Sequence, residues 1–397
     1  MKGLVSAPLL PIFLIVAVDI LGLTLMIPLL PFYAERLGAS PSQVGWLIGV
    51  YAACQLVSGP LLGRLSDSMG RKPLLLVSQA GTFVGFIITA FAPSLSILFL
   101  ARAIDGATAG NLSLAQAYIT DITKPEERTK SFGVIGIAFA LGFLIGPAIS
   151  GFLSQYDYRY PIFGAAFLSL TSIATTWLLL PGVKPGGKNG SPRPAGRRLS
   201  IVDWSSYAAY FRQPLLAARL WQFFLFSFGF AMFTAGMPLF LERSLTWNGM
   251  AFGPKQVGYT WALAGFFGIF WQGPALGRLA KRFGEAVLNR AGFMGYVIGY
   301  TLLAFTKSIA MLGGATAVMS MGSLVRPALT SLITQATPRE EQGVVLGLTQ
   351  SLTSVSLIIG PLLSGYLIEH GLLLTWGLTA AAVAACGLAL ALRPVAK

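Results

Sequence analysis

Ionisable side chains standing inside apolar runs are the first candidates for chemistry in this sequence. Asp19 lies near the middle of the first such run. Arg102 and Asp105 stand three residues apart in the fourth, hence on one face of a helix. An ionised carboxylate in hydrocarbon is costly unless it is paired, wetted or protonated. One arginine and two aspartates at similar depth leave one carboxylate in excess. That balance predicts a cluster holding one proton at neutral pH in at least one conformation, titrating as a property of the pair. A static structural ion pair is the competing reading. Further along, Arg326 precedes Pro327 in the tenth run, placed either to attract an anionic group or to snorkel to the interface.

A second constellation is the charged stretch from Gly63 to Lys72, with Arg64, Asp67, Gly70 and Arg71 between them. Glycine at both ends of a tight turn lets two helices approach. Asp67 there can cap a helix N-terminus and pair with a base such as Arg71 or Arg128, a latch rather than a solvated turn charge. A worn copy follows 214 residues later, from Gly277 to Gly284, with Lys281 in place of the acid. A weaker latch is expected there.

The elements that position these groups follow from composition. Of 397 residues, 55% are apolar and 11% charged, against roughly 25% charged in soluble proteins. Runs near 8–32, 43–63, 73–92, 95–120, 130–153, 160–180, 216–241, 256–276, 287–306, 309–335, 343–367 and 371–392 are long enough to span a bilayer. The net charge of +14 would suit nucleic acid, but its distribution does not. With the N-terminus inside, Arg36, Arg159, Arg243, Lys255 and Lys307 lie outside and Arg102 and Arg326 lie within spans. The other 21 of the 28 Lys and Arg fall on cytoplasmic segments. This bias places both termini in the cytoplasm. The first apolar run flows into a full span without a cleavable signal pattern. Cys54 and Cys386 fall inside spans, so neither a disulfide framework nor a metal site is expected.

The polar stretch 182–215, rich in Pro, Gly and Arg, reads as a cytoplasmic linker between a six-helix bundle at 1–181 and another at 216–397. The segment from Ile201 to Phe211 could lie along the membrane surface. The two bundles repeat. At an offset of 214, Gly59-Pro60 faces Gly273-Pro274, and Gly146-Pro147 with Gly151 faces Gly360-Pro361 with Gly365. Gly142, Gly146 and Ser150 likewise face Ser356, Gly360 and Ser364. Small residues at i, i+4 and i+8 permit close helix contact. A parallel repeat of six spans suits rocking of two halves around a midplane site.

Taken together, these motifs resemble the major facilitator superfamily, and within it the twelve-span drug–proton antiporters, most of all the tetracycline-efflux type. The stretch Gly63–Lys72 is similar to that family's loop motif. Asp19-Ile20-Leu21-Gly22 with Pro28 and Pro31 is similar to its first-span motif, and Phe99-Leu100-Ala101-Arg102 with Gly106 to its fourth-span motif. Tyr118 to Thr123, including Asp121, and then Gly142 to Gly151 complete the pattern. The resemblance implies an all-α membrane protein of twelve transmembrane helices in two six-helix pseudo-repeats. It implies gating by Gly63, Asp67, Gly70, Arg71, Lys72, Asp121 and Arg128. It places the first and fourth spans together at the cavity, with Asp19, Arg102 and Asp105 coupling protons. Gly142, Gly146, Pro147, Gly151, Gly360 and Pro361 pack helices. Asp105 departs from the family pattern, so it can share or displace the role of Asp19.

Aromatic residues crowd the seventh and eighth spans, enough for a forgiving apolar pocket. Trp261, Phe230 and Arg326 are the candidate substrate contacts. The second half carries no acid deep in a span, which puts tetracycline itself in doubt. No phosphate-binding loop signature is present, and no nucleophile–base constellation, so neither ATP-driven transport nor an enzyme is expected. The expected protein is a monomeric exporter of small lipophilic compounds in a bacterial inner membrane, coupled to protons and needing no cofactor. The alternative is a carrier of anionic lipids or organic anions using Arg102 and Arg326. A cysteine introduced as Ser191→Cys in the linker should react with an impermeant thiol reagent only from the cytoplasmic side. Labelling from outside intact cells contradicts the topology.

Overall fold

The computed structural model describes residues 10–122, 128–181, 209–272, 276–338 and 341–393, and nearly all of them are helical. Each expected span falls on one helix or on consecutive helices. Six run unbroken as Pro41–Met69, Arg71–Ala90, Arg128–Leu153, Arg159–Leu179, Pro214–Ser244 and Glu285–Ala304. Gln342–Glu369 and Leu373–Leu392 close the chain. Among the described residues, seven helices, or eight counting one bent pair, are long and apolar enough to cross a membrane.

Three spans are interrupted within the described residues. The first bends by 43° between Leu10–Met26 and Leu30–Arg36, where Pro28 and Pro31 remove backbone donors and crowd the preceding turn. The fourth breaks at 109–110 between Leu95–Thr108 and Asn111–Ile122. The tenth is divided into Ile309–Met319, a 3-10 turn Ser320–Leu324, and Val325–Gln335. Of the eighth, Pro254–Phe270 is helical, and Leu276–Phe283 is a separate helix after residues 273–275, which lie outside the described residues. The linker expected at 182–215 lies outside the described residues up to position 208, as do Gly273 and Pro274. Thr246–Trp247 and Met250–Ala251 form a small antiparallel hairpin. Its turn, Asn248-Gly249, has φ of 52° and 79°, the geometry favoured in two-residue hairpins.

The chain forms two compact units. The first comprises residues 1–39, 50–193 and 253–262; the second comprises 40–49, 194–252 and 263–397. In the first unit, Leu10–Met26 packs on Arg159–Leu179 and Arg128–Leu153, while Arg71–Ala90 packs on Arg159–Leu179 and Leu95–Thr108. In the second, Pro214–Ser244 packs on Leu373–Leu392 and Gln342–Glu369, while Glu285–Ala304 packs on Leu373–Leu392 and Ile309–Met319. These are the same four pairings displaced by six spans, so the sequence repeat is a repeat of packing.

Small residues set the closeness of these contacts. Thr24 Oγ1 donates to the Gly142 carbonyl at 3.0 Å, and Ser150 Oγ to the Leu25 carbonyl at 2.6 Å. A Cβ at Gly146 would run into the Thr24 side chain, and one at Gly151 would lie 2.9 Å from the Lys255 carbonyl oxygen. In the second unit a Cβ at Gly360 would lie 2.9 Å from Met232 N, and one at Gly45 would meet the Pro361 carbonyl. Nothing lies within 4 Å of such a Cβ at Gly347, on the same helix as Gly360. Gly360→Ala should therefore destabilise by about 1–3 kcal/mol through overpacking, whereas Gly347→Ala should stabilise by roughly 0.5–1 kcal/mol through helix propensity. Thermal unfolding midpoints of the purified protein test the opposite signs.

Candidate functional site

The helix Arg71–Ala90 carries a polar seam that serves both intramembrane acids. Gln79 is fully buried, and its Nε2 donates to Ser172 Oγ at 2.8 Å on the Arg159–Leu179 helix. Asp19 lies beside Ser172 and Gln79. Three helices thus meet at one carboxylate. The Gln79 Oε1 atom is buried with no hydrogen-bond partner.

One helical turn further along the seam, Thr82 lies beside Asp105. Gly85 lets the fourth span approach, since a Cβ there would lie 2.9 Å from Asp105 Cβ. Asp105 and Arg102 are each only 5% exposed, and Arg102 Nη1 lies 3.2 Å from Asp105 Oδ2. The Nε and Nη2 atoms of Arg102 are buried without a partner, and its guanidinium lies 6.0 Å from the Tyr51 ring centroid. The structure therefore brings Arg102 and Asp105 together and gives Asp19 a separate, uncharged setting. The expected three-membered cluster is two neighbouring sites on one seam.

Sequence reasoning passed over Ser78, Gln79, Thr82 and Ser172. Their signal was present as polar residues at helical spacing within apolar runs: 78, 79 and 82 in one, 169, 172 and 176 in another. Ser78 also bridges the break in the fourth span. Its hydroxyl donates to the Thr108 carbonyl and accepts from Gly110 N, the latter at 2.8 Å.

Several of the residues expected to gate form a compact ion cluster, with a local shape that differs from the expected turn. The helix Pro41–Met69 runs through Gly63 and Asp67, and Gly70 alone, with φ 96°, separates it from the helix beginning at Arg71. Arg71 is 7% exposed. Its guanidinium contacts Asp67 Oδ1 at 2.6 Å, Asp121 Oδ2 at 2.9 Å and Ser66 Oγ. It also donates to the Gly63 carbonyl at 3.4 Å. One buried cation thus ties together the second, third and fourth spans. Lys72 points elsewhere, donating to the Trp177 carbonyl at 2.7 Å in the last turn of Arg159–Leu179, where a cation complements the helix dipole. The side chain of Arg128 lies outside the described residues.

In the second copy the backbone is kept and the charges are exchanged. Gly284, φ 78°, separates Leu276–Phe283 from Glu285–Ala304. Glu285 occupies the place of Arg71 and Lys281 the place of Asp67. Glu285 Oε1 accepts from Ser331 Oγ at 3.3 Å, which in turn accepts from Gln335 Nε2 at 3.0 Å. Gln335 stands where the first copy has Asp121. Hydrogen bonds through Ser331 replace the ion pairs.

Interruptions fall in corresponding spans of the two halves, at 109–110 and at 320–324. Such paired breaks line binding sites in transporters. Arg326 follows the second break; it is exposed and forms no ion pair among the described residues. Trp271 Nε1 donates to Ser320 Oγ at 3.2 Å in that break. Phe230 stacks on Phe226, with centroids 6.2 Å apart, in an aromatic array continued by Tyr296 and Tyr300. Trp261 belongs to the first unit, where its ring lies 6.1 Å from that of Phe143.

A membrane-embedded helical protein with a twofold packing repeat, a buried ion-pair latch and intramembrane acids has the form of a secondary transporter. The Major Facilitator Superfamily model matches residues 12–321 and 273–397, and the chain belongs to that family. It is 30% identical over 351 residues to the class C tetracycline resistance protein of Escherichia coli, covering 88% of this chain and 86% of that one. The Quinolone resistance protein NorA of Staphylococcus aureus is 27% identical, with coverage of 88% and 87%. Among solved structures, the human organic anion transporter MFSD10 (TETRAN) matches with a TM-score of 0.71 at 22% identity, covering 97% of this chain and 99% of that one. The nucleoside transporter NupG matches at 0.76 and 14% identity, covering 98% and 100%; both likenesses concern the fold. The protein is a multi-pass membrane transporter.

Asp67→Asn should lower transport by about tenfold or more, because it removes one anion from a nearly buried guanidinium, while membrane insertion stays normal. Lys281→Gln should change transport less than about twofold, since Lys281 is exposed and outside any ion pair. Equal damage from both would sink the idea of an asymmetric latch.

Proposed function

We propose that this chain is a proton-coupled antiporter that exports small lipophilic compounds by alternating access, as a monomer in a bacterial inner membrane with both termini cytoplasmic. The observation that carries the coupling is the pair of acids on the polar seam. The side chains beside Asp19, Ser172 and Gln79, are uncharged. Asp105 has a cation whose remaining donors are unfilled. A carboxylate with neutral partners can exchange a proton without breaking an ion pair. A guanidinium with two unused nitrogens can turn toward a second acceptor without first losing Asp105.

Under this reading Asp19 binds and releases the proton, and the Arg102–Asp105 pair senses or shares its charge. Gln79 supports the exchange. Its unpartnered Oε1 becomes an acceptor for a protonated Asp19 when the amide turns over, so either charge state finds a partner. The ion cluster of Asp67, Arg71 and Asp121 closes the cytoplasmic side and opens during the cycle. Within the second unit, the aromatic array with Phe230, and Arg326, contact the substrate. Tetracycline and quinolone resistance relatives favour a drug-like substrate, and the missing acid deep in the second half argues against tetracycline. Arg326 favours substrates carrying an acidic group alongside apolar bulk; efflux of cationic against anionic dyes separates these.

The double variant Asp19→Asn with Asp105→Asn should abolish concentrative efflux driven by a pH difference in proteoliposomes, while substrate binding and downhill movement persist. Wild-type efflux should fall as the pH difference is collapsed. Uphill transport surviving in the double variant would place the coupling site elsewhere.

A further inference from the structure

At one end of the second unit two arginines stand on helices joined by an Asn289–Gln222 hydrogen bond, and neither pairs with an acid among the described residues. Asn289 and Gln222 are fully buried, and Asn289 Nδ2 donates to Gln222 Oε1 at 2.8 Å, joining Glu285–Ala304 to Pro214–Ser244. Arg219, one turn before Gln222, reaches the same oxygen at 3.5 Å. Arg290, adjacent to Asn289, donates Nε to the Ala391 carbonyl at 2.9 Å, in the last turn of Leu373–Leu392. The like charge of Arg290 acts on Arg219. Neither arginine forms an ion pair among the described residues. Glu285, the acid nearest in sequence, is hydrogen-bonded to Ser331 instead.

Half-buried Arg219 and exposed Arg290, on helices joined in this way, form a basic patch that favours an anion. Most of their N–H groups, and the buried Gln222 Nε2, have no protein acceptor. Planar guanidinium forks match phosphate oxygens in a bidentate manner. The surroundings favour a lipid over a soluble ion. Trp221 is 50% exposed and packs edge-on against Phe211 and Phe224, as an indole at the membrane interface does. Leu215, Val287 and Leu392 expose apolar side chains on the three helices involved, a surface that acyl chains would cover and water would not favour. The helix ends sit where a headgroup would be. Basic pockets between spans on the cytoplasmic side hold anionic headgroups in this way.

We propose that Arg219 and Arg290 bind the phosphodiester headgroup of an anionic phospholipid, which seats at the junction of the helices beginning at Pro214 and Glu285 and ending at Leu392. The lipid supplies the counter-charge that the protein lacks there.

The test uses the full chain in detergent, titrated with phosphatidylglycerol, with phosphatidylcholine and sodium phosphate as separate probes, and bound lipid read by native mass spectrometry. Arg219→Gln and Arg290→Gln should each weaken phosphatidylglycerol binding about fivefold, and the double variant about thirtyfold. Phosphatidylcholine binding should not change, and inorganic phosphate should not displace the lipid. Arg243→Gln, the same charge loss at the other end of the Pro214–Ser244 helix, should bind as wild type does. Wild-type binding by the double variant, equal loss in Arg243→Gln, or displacement by inorganic phosphate each overturns the proposal. A second measurement needs no variant: phosphatidylglycerol should slow phenylglyoxal modification of Arg219 and Arg290 about fivefold relative to Arg243. Equal protection at all three sites also overturns it.

Discussion

A charged or polar group placed in hydrocarbon must find its partners within the protein, because no water is at hand to supply them. The helix Arg71–Ala90 meets this requirement for much of the first unit. Arg71 neutralises Asp67 and Asp121 at one end. Ser78 bridges the break in the fourth span, and Gln79 serves Asp19 while Thr82 serves Asp105. A single helix face thus links the latch to both acids. Arg71 aside, the residues it brings beside the intramembrane acids, Gln79 and Thr82, are uncharged. A fixed cation at Gln79 would hold Asp19 ionised and would oppose the proton exchange proposed above.

The repeat is faithful in packing and unfaithful in charge. Both units use the same four helix pairings, the same positive-φ glycine between their second and third spans, and a break in the fourth span of the set. Backbone geometry is held by steric demands that any change of residue violates. Charges at the surface of that geometry are held by no such demand, so Asp67, Arg71 and Asp121 correspond to Lys281, Glu285 and Gln335. The first copy contains a buried cation with two anions; the second contains a hydrogen-bonded chain worth less. All the intramembrane acids lie in the first unit and the exposed intramembrane Arg326 in the second. That division separates proton chemistry from any role of Arg326 in recognising substrate.

The phospholipid inference has the same physical root. Arg219 and Arg290 lack an acid for the same reason that Asp19 lacks a cation: the partner is to come from outside the chain. Under the proposals above that partner is a proton for Asp19 and a phosphate for the arginines. Asp19 and Arg219 are half-buried and Arg290 is exposed, and each is left short of an interaction that its proposed ligand would supply.

The linear sequence by itself determined the membrane class, the twelve apolar runs, the repeat at 214 residues and the ionisable residues worth attention. These are local properties, written in run length, spacing and residue type. It also held the ladders Gly142/Gly146/Ser150 and Ser356/Gly360/Ser364, since close helix contact needs small residues at fixed spacing. Only the tertiary structure decided which polar groups meet. Asp19 and Arg102 stand at similar depth in sequence, yet Asp19 lies beside Gln79 and Ser172 because the first and third spans both pack on the sixth. The Gly63–Lys72 stretch reads as a turn, yet helix continues to Met69 because Arg71 folds back to neutralise Asp67 and Asp121 across Gly70. Neighbours along a chain follow from covalent geometry; neighbours across helices follow from which faces pack, and pairwise packing is a property of the whole bundle.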